Sequence, residues 1–382
     1  MAAIVARVRA DGDRALVRFA RRFDGVEPPL EISPEEMRRE AAKAPAELRR
    51  AIRQAARNIA RVAARQIPRE WTVAVQPGVK VSQRVEPLAR VGCYVPGGRF
   101  PLPSSLLMTA IPARVAGVQD ITAVCPRPEP AVMAAALEAG VSRLFRMGGA
   151  HAIAALAYGT ASVPRVDKIV GPGNRWVSAA KAMITADCAI DFYAGPTEIV
   201  VVSESGRPEW IAADLVAQAE HDPDARSIFI TWRSGLASRV AARVARLAAG
   251  RDIVAQSLAA HGAIVLVGDA EAATNLVNQI APEHLVVDDD RMARRRLVAG
   301  ALFVGPFTAQ AAGDYATGSN HVLPTARAAR FRGGLSAADF VRVMAVQRLT
   351  RSGLSRLAPA ILPLARAEGL RAHAESVEVR LR

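Results

Sequence analysis

From about residue 105 onward, short β-branched runs alternate with Ala-rich helical patterns, and this restricts the fold more than any other feature of the chain. The runs are DITAVCP, SRLFRMG, DKIVGPG, AIDFYAG, EIVVVSE, SIFITW, AIVLVG, HLVVDD and ALFVGP. Between them lie stretches such as AVMAAALEAG, AHAIAALAYG and ASRVAARVARLAAG, apolar at every third or fourth position. A nearly continuous apolar strand needs cover on both faces. Such strands alternating with helices predict parallel, doubly wound α/β sheets. The units are too many for one ordinary sheet, so two such domains are expected, and 382 residues are enough for both.

The flanks read differently. Residues 1–67 carry helical spacing, with Ser33 and Pro34 as an N-cap followed by proline in the first helical position. From Thr72 to Val91 the pattern is strand-like (TVAVQ, then VKVSQRVEPLARV). After about residue 336 the tail reads as helical and closes on a strand-like SVEVRL. The fold class is therefore α/β, two doubly wound, Rossmann-like parallel-sheet domains with a helical N-terminal segment and a small C-terminal tail domain. The Rossmann-like units are expected to be incomplete; the G-x-G-x-x-G fingerprint is absent, so any dinucleotide must bind in another manner.

Composition removes several function classes. No apolar run approaches the roughly 20 residues that cross a bilayer, and the first residues are broken by charge, unlike a secretory signal. A cytoplasmic protein without a membrane partner is expected. Cys93, Cys125 and Cys188 have no C-x-x-C spacing and read as small buried hydrophobes. The net charge of +14 raises nucleic-acid binding, but the arginines are spread through helices from end to end and aromatics make up only 5%. Nucleic-acid binders gather basic residues on one face and interleave stacking rings, so no nucleic-acid partner is expected.

The chemistry-bearing residues fall late in the chain. In QAEHDPD, Gln218 and His221 are three apart at the end of a helical pattern and share one face. APEHL supplies Glu283 and His284, GDYATGSNH supplies Asp314 and His321, and AEGLRAH supplies Glu368 and His373. Imidazoles, carboxylates and an amide in a chain with six histidines point to a metal-assisted enzyme. Each piece also has a plainer reading. Gln218 and His221 could cap a helix end, Glu283 and His284 could pair at a strand edge, and Asp314 could be an N-cap. His321 could be a turn residue and His373 a surface residue. Glycine-bearing loops (VPGGRFPLPSS, MGGAH, VGPGN, YAGPTE) follow apolar strands, where open α/β sheets bind ligands.

Read together and in order, YVPGG (94–98), GGAHAIAALAYGT (148–160), VDKIVGPGN (166–174), AGPTE (194–198), QAEH (218–221), APEHL (281–285), GDYATGSNHVLPT (313–325) and EGLRAH (368–373) resemble the histidinol dehydrogenase family over almost the whole chain. The resemblance implies a homodimer with shared active sites, one Zn2+ per subunit, and NAD-dependent oxidation of L-histidinol to L-histidine through histidinal. It implies Gln218, His221, Asp314 and His373 as zinc ligands, His373 coming from the other subunit. It implies Glu283 and His284 as the acid–base pair, with Glu283 activating water. Thr197, His321 and Glu368 would contact substrate, as would the ligands and His284, and Tyr94, His151 and Asn174 would line the NAD site. Residues 94–198 would be an inserted second α/β domain within a first one of 1–93 plus 199–335, and 336–382 would reach the partner subunit.

The chain departs from the usual family strings at His151 (usually Gln), Thr197 (usually Ser) and Tyr193 (usually Pro), and it begins some way into the family's usual N-terminus. An alternative substrate is another small polar alcohol, for example a sulfonated diol. Two further readings are a zinc hydrolase with Glu283 as general base and a non-catalytic basic binding protein.

Overall fold

The computed structural model describes residues 1–97, 101–193 and 195–382, so Gly98 of the YVPGG string and Ala194 of AGPTE lie outside the described residues. Strands among these residues form three sheets. The first contains β1 (Glu31–Ile32), β4 (Arg90–Tyr94), β5 (Asp120–Val124), β6 (Arg143–Phe145), β7 (Lys168–Val170) and β8 (Ala189–Ile190), in the order β1-β6-β5-β4-β7-β8. Its pairs are parallel except β1 with β6. The second is wholly parallel and contains β9 (Glu198–Val202), β10 (Arg226–Thr231), β11 (Gly262–Leu266), β12 (His284–Val287) and β13 (Ala301–Val304), in the order β11-β10-β9-β12-β13. The third is antiparallel, with β3 (Val79–Pro87) between β2 (Trp71–Gln76) and β14 (Val341–Leu349).

Every apolar run of the alternating region becomes a strand, and β9 shows why. Its five residues are all buried. Ile199 and Val201 enter one core with Phe229, Val286 and Phe303, while Val200 and Val202 enter another with Ile230, Leu285 and Val287. A strand loaded on both faces holds its register firmly, because a one-residue slip would exchange the two sets. Helices α9 (Pro208–Ala219) and α10 (Ser234–Ala248) supply Ile211, Leu215, Leu236 and Val240 to the first core. Helices α12 (Ala270–Ile280) and α13 (Asp290–Ala293) supply Ala273, Val277 and Met292 to the second. Helix α11 (Asp252–His261) packs on α9.

Residues 1–67 form α1 (Ala2–Asp11), α2 (Asp13–Phe19), a π-helical turn at Ala20–Asp24, α3 (Pro34–Ala42) and α4 (Ala46–Gln66). Ser33 accepts from the Glu36 N–H at 3.1 Å, with Pro34 starting α3. The resemblance groups these helices with residues 199–335, yet their packing contacts are with the helices of the first sheet. Those are α5 (Pro103–Val115), α6 (Pro130–Ala139), α7 (Gly149–Tyr158) and α8 (Arg175–Ile184). α4 lies on α5, α3 on α6 and α1 on α7. Ile52, Ala56 and Ile59 of α4 share one core with Leu106 and Ile111 of α5.

Two expectations about the tail fail. The segment VRVMAVQRL is strand β14, where helix was expected, because β3 offers it a ladder from Val341–Pro87 to Leu349–Val79. Only that distant partner decides the matter. SVEVRL falls at the end of a helix, α16 (Arg371–Glu378), where the Val379 N–H donates to the Glu375 carbonyl. Preceding α16 is α15 (Arg351–Ala367), which packs on it and on β14. The three cysteines are free and buried, and no helix among the described residues is long and apolar enough to cross a membrane.

Candidate active site

Each parallel sheet has a point where strand order reverses, and the two points are used differently. In the first sheet the reversal lies between β4 and β7, the usual place for a ligand in an open α/β sheet. Tyr94 ends β4, and its hydroxyl accepts from the Gly149 N–H at 3.0 Å. GPGN follows β7, and Asn174 caps α8 by accepting from the Trp176 and Val177 N–H groups. His151, in the first turn of α7, is 1% exposed. Its Nε2 lies 2.8 Å from Asp24 Oδ2, which also accepts from the Gly148 N–H, and its ring lies near those of Phe19 and Phe23. The three residues implied to line the NAD site thus share the C-terminal edge of one sheet, with His151 covered by the N-terminal segment.

In the second sheet the reversal lies between β9 and β12, and the chain fills that crevice itself. Asp288 Oδ2 accepts from Ser203 Oγ at 2.9 Å, the Glu204 N–H at 2.7 Å and the Ser205 N–H at 3.2 Å. The reactive residues gather at the opposite edge. Thr197 precedes β9, Glu283 precedes β12 and His284 opens it. Sequence reasoning looked to C-terminal strand ends alone and missed this, because AGPTE both follows β8 and introduces β9.

At that edge Glu283 is 6% exposed. Its Oε2 accepts from Thr197 Oγ1 at 2.5 Å and from the Glu198 N–H at 2.9 Å. Burial pushes its carboxyl up to about 8, aided by the charges of Glu198 and Asp314 and opposed by those two hydrogen bonds. The Thr197 oxygen in turn accepts from Gln218 Nε2 at 2.6 Å. With the Thr197 proton on Glu283, the amide nitrogen of Gln218 faces Thr197, which leaves Oε1 buried without a partner.

His284 is 4% exposed. Its Nδ1 lies 3.1 Å from the Glu198 carbonyl, which fixes the proton on that nitrogen and leaves Nε2 as a lone pair. This Nε2 is buried and unpartnered, 3.8 Å from Asp314 Oδ1. Burial brings the imidazole down to about 4, partly opposed by Asp314 and the Glu198 carbonyl. The Asp314 carbonyl accepts from His321 Nδ1 at 2.9 Å, while Asp314 Oδ2 accepts from Gln310 Nε2 at 2.8 Å. Burial also holds the His321 imidazole below its ordinary value. His221, exposed two residues beyond α9, is near enough for its charge to depress both His284 and His321.

Thr197, Gln218, His221, Glu283, His284, Asp314 and His321 are therefore brought together. Glu368 and His373 are not: both are exposed on the tail, with no hydrogen bond or ion pair to the cluster among the described residues. Among those residues no three His, Cys, Asp or Glu side chains gather as a metal site. The chemistry of the donors present does suit a divalent ion. An amide oxygen has been left without a partner in a fully buried position, with an imidazole and a carboxylate on neighbouring elements. Sequence reasoning missed Glu198, whose carbonyl orients His284, and Asp24, which is 127 residues from its partner His151.

The histidinol dehydrogenase family model matches residues 1–381. The chain is 45% identical to histidinol dehydrogenase of Geobacter sulfurreducens over 394 residues, covering 99% of this chain and 92% of that protein. It is also 45% identical to the enzyme of Caulobacter vibrioides, covering 100% and 92%. The crystal structure of histidinol dehydrogenase from Elizabethkingia anophelis superposes with a TM-score of 0.96 at 33% identity, covering 99% of this chain and 90% of that one. Lactaldehyde dehydrogenase from Escherichia coli, 11% identical with a TM-score of 0.51, covering 89% of this chain and 92% of that one, shares the fold alone. With the family matched over nearly its whole length, the chain belongs to the histidinol dehydrogenases, a family of oxidoreductases.

Proposed function

We propose that this protein oxidises L-histidinol to L-histidine through the aldehyde, using NAD twice and a zinc site completed by a second copy of the chain. The observation that carries the reading is the hydrogen-bonded line Gln218–Thr197–Glu283, which ends in an unpartnered amide oxygen in the same cluster as the unpartnered Nε2 of His284. Gln218, His221, Asp314 and a second copy's His373 would hold the metal. When bound, zinc supplies a Lewis acid that anchors and polarises the amino alcohol. NAD, when bound, would supply the hydride acceptor for both oxidations.

The chain's own residues manage the protons. His284 carries its proton on Nδ1 against the Glu198 carbonyl, so Nε2 is free to take the hydroxyl proton as hydride leaves. Burial keeps the ring neutral at ordinary pH, the state a base requires. The aldehyde must then add water. Glu283, whose affinity for a proton burial has raised, takes one from that water while His284 returns its first proton to the aldehyde oxygen, and the neutral His284 then deprotonates the resulting gem-diol as the second hydride departs. Thr197 and Gln218 hold Glu283 in place, and His321, fixed by the Asp314 carbonyl, faces the substrate. Tyr94, Asn174 and, through Asp24, His151 shape the NAD site at the reversal of the first sheet.

A homodimer is supported by the apolar residues left outside. Trp71, Val73 and Val75 of β2, Val343 and Met344 of β14, and Leu364 in the tail are all exposed. The same tail carries Glu368 and His373. Glu368 favours an amino alcohol, because a carboxylate gains nothing from a sulfonated diol. The test is an assay of zinc-loaded protein with NAD against a panel of polar alcohols. Two NADH per histidinol, with histidine as product, is the expected result. Faster turnover of an uncharged or anionic alcohol would overturn the substrate assignment.

A further inference from the structure

At the β7–β8 side of the first sheet lies a buried ion pair that the proton chemistry does not use. Lys181 of α8 and Asp191, just after β8, are 3% and 5% exposed. Lys181 Nζ donates to Asp191 Oδ1 at 2.7 Å and to the Gly171 carbonyl at 2.6 Å. Asp191 Oδ2 accepts from the Gly171 N–H at 2.7 Å. Both backbone polar groups of Gly171, the first residue of the GPGN loop, are thus held by one pair of opposite charges. Gly171 has φ +118°, and a Cβ there would strike the Tyr94 carbonyl. The loop is therefore pressed against the end of β4 in a conformation that only glycine adopts without strain.

Asp191 also faces the other way. Its Oδ1 accepts from the Phe192 N–H at 2.8 Å, and its carbonyl accepts from Arg332. It therefore also anchors the start of the segment that leads to Thr197. Charges are costly to bury, and a well-packed apolar pair of similar volume is often as stable or more so. Placing a Lys–Asp pair under a glycine loop is hard to explain by stability alone. It does fix the loop's backbone to within the reach of a hydrogen bond.

We propose that Lys181 and Asp191 are positioning residues for NAD: they set the Gly171–Asn174 loop in the geometry that receives the cofactor. The inference rests on the reading that NAD occupies the reversal point of the first sheet. The double variant Lys181→Met/Asp191→Asn removes both charges together and avoids leaving one buried alone. An asparagine cannot replace both acceptor oxygens, so the Gly171 and Phe192 N–H groups lose their common anchor. With zinc-loaded protein, KM for NAD should rise at least about tenfold, with kcat at saturating NAD and KM for the alcohol changed less than about threefold.

The single variant Lys181→Arg keeps the charge, but its longer, rigid planar fork cannot occupy the point from which the single ammonium nitrogen donates to both Gly171 and Asp191. It should raise KM for NAD by about three- to tenfold with kcat at saturating NAD changed less than about threefold, so the proposal can be judged even if the double variant does not fold. An unchanged KM for NAD in Lys181→Arg, or in a folded double variant, would overturn it. Asn174→Asp separates the two levels, since it puts a negative charge into the loop itself. If Asn174→Asp weakens NAD while both pair variants leave it alone, the positioning role fails and the NAD site stands. If Asn174→Asp also has no effect, both fail.

Discussion

The hydroxyl of Thr197 lies 2.5 Å from Oε2 of Glu283 and receives the Gln218 amide at 2.6 Å, so one oxygen ties a candidate catalytic carboxylate to a candidate metal ligand. The family's usual serine would serve the same bonds. Thr197→Ser should keep kcat/KM within about threefold, whereas Thr197→Val should lower it about 10- to 100-fold, the equivalent of roughly 1–3 kcal/mol for leaving buried polar groups unpaired. Steady-state kinetics of the two variants test this. Equal activity of the valine variant would mean that the link does nothing for turnover.

In the proposed reaction Glu283 acts only where water must be added. Glu283→Gln should therefore still carry out the first oxidation and stall afterwards, with the second step slowed by about 10²–10⁴. The product balance would shift from two NADH per histidinol toward one, and the aldehyde could be trapped with a carbonyl reagent. A variant that makes histidine at the normal stoichiometry and rate would remove Glu283 from water activation.

Gln218→Ala and His373→Ala should each give inactive protein with little bound zinc. If each site draws His373 from the other subunit, re-associating the two variants gives mixed dimers with one intact site and one doubly damaged site. Half the dimers are mixed under random pairing, so about a quarter of wild-type activity should return. Metal analysis of the mixture should show the same fraction. No recovery would place His373 outside the site or confine it to its own chain.

Asp214, one helical turn before Gln218, makes no hydrogen bond or ion pair among the described residues, and burial pushes its carboxyl up to about 6. The ordinary value for an aspartate is 3.8, so the folded protein binds this proton more tightly than the unfolded chain. The resulting stability is complete below pH 3.8 and lost as pH rises through about 6, so the ionised group burdens the fold at higher pH. Allowing for its partial solvent access, the cost is about 1–2 kcal/mol. Asp214→Asn should raise the thermal midpoint by a few degrees at pH 8 and leave it nearly unchanged at pH 4. A gain of equal size at both pH values would show that ionisation is not the cause.

Residues 105–304 were legible because their pattern is locally sufficient. Strands such as β9 are apolar at every position after the first, and they alternate with amphipathic helices, so element type and sheet class follow from burial alone. The tail was not legible in the same way. Val341–Leu349 is mostly exposed and pairs with β3 across a separation no local window covers, while SVEVRL has a strand's spacing but a helix's hydrogen bonds. The site was legible in residue type and order: Gln218, His221, Glu283, His284, Asp314 and His321 were all singled out before any geometry was known. Their edge of the sheet was not, because a loop between two strands belongs to both.

The sequence by itself determined two parallel sheets and the set of reactive side chains, since burial pattern and chemical type are written residue by residue. Tertiary structure alone decided which groups meet. It turned Asp24 onto His151, closed the second sheet's crevice with Asp288, and set Lys181 and Asp191 on either side of Gly171. Those pairings join segments up to 127 residues apart, and a hydrogen bond responds to distances of tenths of an ångström that no spacing along the chain encodes.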